Sequence, residues 1–272
     1  MPLSEASIKV SARVLNYRNL GAEVARELAV EMAVNVVYAP IPFAVMMTTP
    51  ADLVDFAYGF SFTEGVISKA EDITGVEIAE EELGLRLNIS LRAGKMQAHL
   101  ARKRALSGRT GCGLCGIEDL SALPQGVHRQ AAKYSLGAAA VERALAELEA
   151  HQPLNARTRA VHAAAFFSAG GALLAAREDV GRHNALDKLI GALLRAGVKA
   201  GDGFMVITSR CSFEMVEKAA MFGARALVSV SAPTSLALAR AKAHNMALIA
   251  VARADSALVF NGQDYVNMGV LR

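Results

Sequence analysis

The chain has 272 residues, 53% of them hydrophobic and 20% charged, and carries a formal net charge of +3. A chain of this length and composition buries a sizeable core without disulfide staples, excludes a disordered protein, and corresponds to one large domain or two modest ones. The small positive charge is too weak for a dedicated nucleic-acid binder but is compatible with a local pocket for an anionic small ligand.

The N-terminal stretch MPLSEASIKV lacks the basic start and apolar run of an export signal, so a cytoplasmic location is expected. Residues 1–48 read as a small sheet. Residues 10–15 alternate apolar and polar, residues 28–37 are mostly aliphatic, and Pro40 and Pro42 interrupt the run before residues 43–47 resume it. At Thr49-Pro50-Ala51-Asp52 the pattern changes, and the spacing predicts a helix over residues 50–63 with Thr49 as its cap and Pro50 in its first turn. Its apolar residues Leu53, Phe56, Ala57 and Phe60 share one face, and Glu64-Gly65 ends it, with Glu64 read as a solvated charge. An acidic patch follows at residues 77–82. Beyond it, residues 83–91 and 96–100 read as the strands of a hairpin turning at Gly94-Lys95.

The stretch Ser107-Gly108-Arg109-Thr110-Gly111-Cys112-Gly113-Leu114-Cys115-Gly116 carries two thiols among four glycines, with Arg102, Lys103, Arg104 and Arg109 upstream. Such cations favour the thiolate, which is the nucleophile. Three cysteines in so long a chain point to redox, sulfur or metal chemistry in a reducing compartment rather than a disulfide framework. Structural zinc wants four ligands, and only Cys211 and scattered histidines remain, so no metal site is assigned. A thioredoxin-like dithiol would open a helix after a strand, whereas the glycines here favour a loop. Chemistry alone leaves redox activity and persulfide carriage open.

Residues 136–150 have helical spacing. Residues 160–176 form the most apolar window but include His162, Ser168 and Gly170-Gly171, short of the ~18 uninterrupted apolar residues a spanning helix needs, so no membrane partner is expected. That window reads as two buried strands and a turn. From there, strands at 172–176, 204–208, 226–230 and 247–252 alternate with helices at 184–196, 213–222 and 235–245, the first two stopped by Gly197 and Gly223. This succession predicts an α/β fold with a mostly parallel sheet flanked by helices, whose ligands gather at the carboxyl ends of the strands.

Those ends are polar: Arg177-Glu178-Asp179-Val180-Gly181-Arg182-His183-Asn184, Thr208-Ser209-Arg210-Cys211-Ser212, Ser231-Ala232-Pro233-Thr234-Ser235 and Arg253-Ala254-Asp255-Ser256. The first three precede helices, whose N-termini favour anions, and Arg182, Arg210 and Arg253 suit phosphate. The plain alternative is that Asn184, Ser212 and Ser235 cap helices while the arginines bind backbone or carboxylates. Cys211 at a helix start reads either as a reactive thiol or as a small hydrophobe. His183 joins the anion rim, whereas His162 reads as a core histidine.

The segment Arg177-Glu178-Asp179-Val180-Gly181-Arg182-His183-Asn184-Ala185-Leu186-Asp187-Lys188 closely resembles the signature of the FdhD family, the sulfurtransferase accessory proteins of formate dehydrogenase. The resemblance extends to Thr49-Pro50-Ala51-Asp52-Leu53, Cys112-Gly113-Leu114-Cys115-Gly116, His162-Ala163-Ala164-Ala165 and Thr208-Ser209-Arg210. It continues through Phe213-Glu214-Met215-Val216 with Lys218, and Ser231-Ala232-Pro233-Thr234. It implies a cytidine-deaminase-like α/β domain over residues 136–272, a smaller N-terminal α+β part over residues 1–135 carrying the CxxC loop, and a homodimer. It further implies transfer of sulfur from a cysteine desulfurase to the molybdenum bis(molybdopterin guanine dinucleotide) cofactor of formate dehydrogenase, with a free guanine nucleotide as a mimic of that acceptor. Cys112 matches the persulfide carrier and Cys115 its partner. The family's cofactor-binding segment falls on Val251-Ala252-Arg253-Ala254-Asp255-Ser256. The anion rim adds Arg182, His183, Ser209 and Arg210 as expected binding residues, with Asp179 as a base contact. Two other functions are weighed beside sulfur transfer: a cofactor-binding chaperone that moves no sulfur, and a dithiol oxidoreductase.

Overall fold

The computed structural model describes residues 5–95 and 135–268, so the CxxC loop with Cys112 and Cys115 lies outside the described residues. β1 (Ser7–Leu15) and β2 (Leu20–Ala29) form an antiparallel ribbon, with Lys9 opposite Glu27 and Arg13 opposite Glu23 on its polar face. The aliphatic run predicted over residues 28–37 is divided at residues 30–31. Its second half is β3 (Met32–Tyr38), which pairs with β4 (Ile41–Thr48).

α1 (Leu53–Thr63) starts later than predicted, and Thr49 is not its cap. The cap position is Asp52, held at φ 55° with no side-chain hydrogen bond to the helix. A tertiary partner has claimed Thr49, whose Oγ1 accepts from the Val180 N–H at 3.2 Å. Of the hairpin expected after α1, the strand over residues 83–91 is present, and the strand expected over residues 96–100 lies outside the described residues. β5 (Ile73–Glu81) pairs antiparallel with β6 (Gly84–Leu91), so the acidic patch belongs to a strand. β5 lies at the edge of a four-stranded sheet ordered β4-β3-β6-β5, where charged side chains reach water and discourage edge-to-edge pairing. Against this sheet α1 buries Leu53, Phe56, Ala57 and Phe60, which meet Val34, Val36, Leu85, Leu87 and Ile89. That is the face its spacing predicts.

The rest of the chain follows the alternating pattern closely. β7 (Leu136–Gly137) leads into α2 (Ala138–Leu148) and α3 (Pro153–Thr158); β8 (His162–Ser168) and β9 (Leu173–Asp179) form the expected strand pair. Next come α4 (Arg182–Ala196), β10 (Gly203–Ile207), α5 (Phe213–Phe222), β11 (Ala226–Ser229), α6 (Ser235–Ala243) and β12 (Ala247–Ala250). β13 (Leu258–Asn261) adds an edge strand, and β14 (Val266–Asn267) pairs with β7. Gly197 and Gly223 end α4 and α5 in the left-handed conformation that glycine adopts without strain.

The main sheet is ordered β13-β12-β11-β10-β8-β9. β10, β11 and β12 are mutually parallel, while β8 runs antiparallel to both β10 and β9, and β13 antiparallel to β12. The sheet is therefore mixed, although β9, β10, β11 and β12 point the same way. Their carboxyl ends lie along one edge. α4, α5 and α6 cover one face through Leu186, Leu189, Ile190, Met215, Val216, Ala219, Ala237 and Ala241. α2 covers the other face, setting Val141, Ala144 and Leu148 against Phe167, Phe204 and Val228.

The two sheets are joined through α1 and α4, which touch backbone to backbone. A Cβ on Gly59 would sit 1.7 Å from the Asp187 carbonyl oxygen, and one on Gly191 would sit 1.8 Å from that of Asp55. Neither contact can be relieved by moving a side chain. Gly191→Ala is therefore expected to cost about 3 kcal/mol or more in urea denaturation, the upper range of overpacking effects. Gly201→Ala, where an added Cβ meets nothing within 4 Å, is expected to stay within about 0.5 kcal/mol of the parent.

Candidate functional site

The carboxyl edge of the main sheet is built around a fully buried ion pair. Lys188 Nζ lies 2.6 Å from Asp179 Oδ2, and both side chains are 0% exposed. Asp179 Oδ2 also accepts from the Thr49 N–H at 3.0 Å, while Oδ1 accepts from the Gly181 N–H at 2.7 Å and from Asn184 Nδ2 at 3.0 Å. Lys188 Nζ donates in addition to the Thr49 carbonyl at 2.9 Å, and Asn184 Nδ2 to the Met47 carbonyl at 2.8 Å. Each carboxylate oxygen of Asp179 thus has two donors and no exposure. The expected base contact by Asp179 is overturned, because its acceptor capacity is already used inside the protein. It instead shapes the turn that presents Arg182 and His183.

The capping alternative also fails where it matters. Asn184 is inside α4, whose cap position is Gly181 without a side-chain bond, and Ser212 occupies the cap position of α5 but makes no capping bond. In α6 it is Thr234, not Ser235, that caps, accepting from the Ala237 N–H at 3.2 Å. Ser209 Oγ is turned to the Arg210 carbonyl at 3.1 Å, and the Ser209 carbonyl accepts from Ser229 Oγ at 2.9 Å, so this corner is tied internally. Arg210 is exposed beside it.

Cys211 is 0% exposed, and burial pushes its thiol up to about 12. Its N–H donates to the Ala232 carbonyl at 3.2 Å, and its carbonyl accepts from the Thr234 N–H at 3.0 Å. The reactive reading of Cys211 is thereby corrected: it packs as a small apolar residue. In the segment after β12, Val251 adopts φ 52° and Ala252 is buried. Arg253 directs its guanidinium to the carbonyls of Val230 and Ala252, the latter at 2.9 Å, so this arginine serves backbone. Ala254, Asp255 and Ser256 are exposed at the same edge.

The free groups are elsewhere on the rim. α4 and α5 begin side by side, and one turn in from their ends Lys218 Nζ bonds both Asp187 oxygens at 2.8 Å while Thr63 Oγ1 donates to Asp187 Oδ1 at 2.7 Å. Four residues nearer the rim, His183 and Glu214 hold the corresponding positions. There Arg182 Nε, His183 Nε2, Ser212 Oγ and Glu214 Oε2 are all shielded from solvent without a hydrogen-bond partner. Buried polar atoms are nearly always paired, and an orphan costs ~1–3 kcal/mol, so these four make the starts of α4 and α5 the candidate part of the rim. Burial, then the charges of Arg182 and Lys218, push the His183 imidazole down to about 4, with Glu214 opposing. His162, half-buried at the start of β8, is also lowered, by burial and then by Arg182.

The structure therefore brings Asp179, Arg182, His183, Ser209, Arg210 and residues 251–256 to one edge, and gives free buried groups only to Arg182 and His183 among them. Sequence reasoning did not single out Ser212 and Glu214, whose side-chain oxygens lack partners in the structure. The available signal was the matched pair of four-residue spacings, His183 with Asp187 and Glu214 with Lys218, on two neighbouring helices.

A mixed α/β protein with polar side chains gathered at the carboxyl ends of its parallel strands is the class these features define. The sequence model of the FdhD/NarQ family matches residues 29–267, and the chain belongs to that family. It is 44% identical over 246 residues to a Xanthomonas euvesicatoria pv. vesicatoria protein named sulfur carrier protein FdhD, covering 89% of this chain and 86% of that one. A protein of the same name from Agrobacterium fabrum is 41% identical over 263 residues, covering 96% and 97%. A crystal structure described as a formate dehydrogenase accessory protein from Desulfotalea psychrophila superposes with a TM-score of 0.75 at 27% identity, covering 97% of this chain and all of that one.

Two outcomes follow from the electrostatics. Lys188→Ala leaves a buried carboxylate without its cation, and a loss of about 3–5 kcal/mol in chemical denaturation is expected. Because the His183 value in the folded protein, about 4, lies below the ~6.5 of an unfolded chain, the unfolded state binds the extra proton between those limits. Stability should be fully present above ~6.5 and fall as the pH drops toward 4. His183→Gln should flatten that part of the stability profile.

Proposed function

We propose that the protein is a sulfur carrier in formate dehydrogenase maturation: it accepts persulfide sulfur from a cysteine desulfurase and delivers it to the molybdenum bis(molybdopterin guanine dinucleotide) cofactor. The observation that carries this reading is the set of unpaired polar side-chain atoms at the helix starts beside the strand ends, in a chain whose relatives are named sulfur carriers. The cofactor is the acceptor substrate. Its phosphates suit the exposed Arg210 and the neighbouring helix N-termini, and its polar heterocycles suit groups such as Arg182 and His183. Residues 251–256 flank the same edge.

The sulfur chemistry belongs to Cys112 and Cys115. The Cys112 thiolate attacks the terminal sulfur of the desulfurase persulfide, its S–S bond breaks, and the desulfurase cysteine leaves as a thiolate. Cys112 then carries the sulfur as a persulfide. Release at the sulfide level needs two electrons, which Cys115 supplies by attacking Cys112 sulfur, closing a disulfide and expelling hydrosulfide toward the molybdenum centre. The basic residues upstream favour the thiolates both steps require. In this reading the protein acts as a cytoplasmic homodimer with formate dehydrogenase as the recipient. Among the described residues no helix is long and apolar enough to cross a membrane.

Intact-mass and peptide mapping after incubation with a desulfurase and cysteine should place one added sulfur on Cys112. Cys112→Ala should lose the label and abolish formate dehydrogenase activation in a complementation assay. Full activation by the Cys112→Ala/Cys115→Ala protein would replace this reading with that of a chaperone which only shelters the cofactor.

A further inference from the structure

A groove of about 440 Å³ opens at one end of the four-stranded sheet, between the start of β3, the end of β4 and the turn joining β5 to β6. Its apolar lining includes Met32, Met47 and Leu83, of which Met47 is 49% and Leu83 89% exposed. Its acidic lining is Glu31 from one side and Glu80, Glu81 and Glu82 from the other. Glu81 is paired with Arg86 at 2.7 Å, whereas the side chains of Glu31, Glu80 and Glu82 are exposed and make no hydrogen bond or ion pair among the described residues. The turn beside them is held in place: a Cβ on Gly84 would sit 2.2 Å from the Ala33 carbonyl oxygen, so β6 starts pressed against β3.

Charge and spacing limit what can occupy this groove. Like-charge repulsion turns away phosphates, nucleic acid and anionic membranes, and a two-fold dimer about the groove would set glutamate against glutamate. No three carboxylates among the described residues stand close enough together to hold a metal ion. The matching occupant is cationic and also brings apolar surface to cover the exposed leucine and methionine. A peptide segment meets both demands, with lysine or arginine at its edges and aliphatic side chains between them. Methionine suits the receiving side, since its unbranched, polarisable side chain adapts to differing shapes.

The groove also borders the frame of the polar rim. Met47 lines the groove, and its carbonyl accepts from Asn184 Nδ2 at 2.8 Å; Asn184 in turn bonds Asp179. We propose that this groove is a docking site for a basic, partly aliphatic segment of a partner protein. Aliphatic side chains of the partner cover Met32, Met47 and Leu83, and its lysines or arginines face Glu31, Glu80 and Glu82. A partner seated there lies against the segment that leads to Thr49, and so beside the rim.

Fluorescence anisotropy of the full chain with a labelled peptide of alternating lysine and leucine tests the assignment. The parent should bind this peptide at least about 5-fold more tightly than a lysine–serine peptide of the same length, because only leucine covers the apolar lining. Glu80→Gln/Glu82→Gln should weaken it about 2- to 30-fold, the range of two exposed ion pairs. Leu83→Ser should weaken the lysine–leucine peptide and leave the lysine–serine peptide unchanged. Carbodiimide coupling, which joins carboxylates to lysine amines, should place the peptide on Glu31, Glu80 or Glu82. Equal binding of the two peptides, or parental affinity in a folded Glu80→Gln/Glu82→Gln protein, overturns the proposal. Without added peptide, coupling of these glutamates to Lys103 of the same chain or to a second copy also overturns it, since the groove is then already filled. No step of the titration involves sulfur, so a failed Cys112 label leaves the groove standing and failed peptide binding leaves the sulfur reading standing.

Discussion

The buried pair of Asp179 and Lys188 fixes the geometry on which the site depends. Two charges removed from water lose about as much in solvation as their attraction returns, so the pair is better understood as a device of orientation than of net stability. Its directional bonds converge from three places: Thr49 after β4, the end of β9, and the first two turns of α4. A slip of any one of these segments would leave a buried charge short of partners. The penalty for such a slip keeps the segment after β4, the sheet edge and α4 in a single alignment.

Two further polar links run along the same pair of helices. At one end of α1, Asp55 is bonded by Arg177 at 2.7 Å and by Arg195 at 2.5 Å; at the other, Thr63 joins Asp187 and Lys218. Between them, Gly59 and Gly191 let the helices approach until backbone meets backbone. Close packing sets the distance, while the charged groups set the rotation and register. As a result α5, the third helix in the group, is positioned through Lys218 relative to an element far away in sequence. The start of α5 inherits that precision, because Glu214 is one turn from Lys218 on the same helix.

The parts of this arrangement visible in sequence are those specified locally. The strands and helices between residues 160 and 252 announce themselves by short aliphatic runs, amphipathic spacing and the two glycine stops, and the structure moves their ends by only a few residues, whereas β13 and β14 carried no such signal. The strand ends were legible as a polar rim for the same reason. What could not be read was decided by partners distant in the chain. Thr49 has the look of a helix cap but is engaged by Val180 and Asp179 instead, and the glutamates of β5 conceal an edge strand whose buried contacts are few. Asp179 and Glu214 are both acidic residues at helix starts. No local pattern says that the first is saturated and the second is open.

That distinction separates frame from site. Among the described residues, Arg240 Nη2 lacks a partner on an arginine whose Nε is already paired with Glu217, and Arg86 Nε has Glu81 Oε1 at 2.7 Å. Arg182 Nε, His183 Nε2, Ser212 Oγ and Glu214 Oε2, by contrast, all lie at the starts of α4 and α5. Unmet hydrogen bonds scattered singly reflect the ordinary tolerance of a folded chain, but four on two adjacent helix starts carry a cumulative cost that no internal contact offsets. The surrounding ion pairs prevent the helices from rotating to close the gap. The same rigidity that leaves these groups unsatisfied therefore preorganises them, because none has to be ordered before it meets a partner.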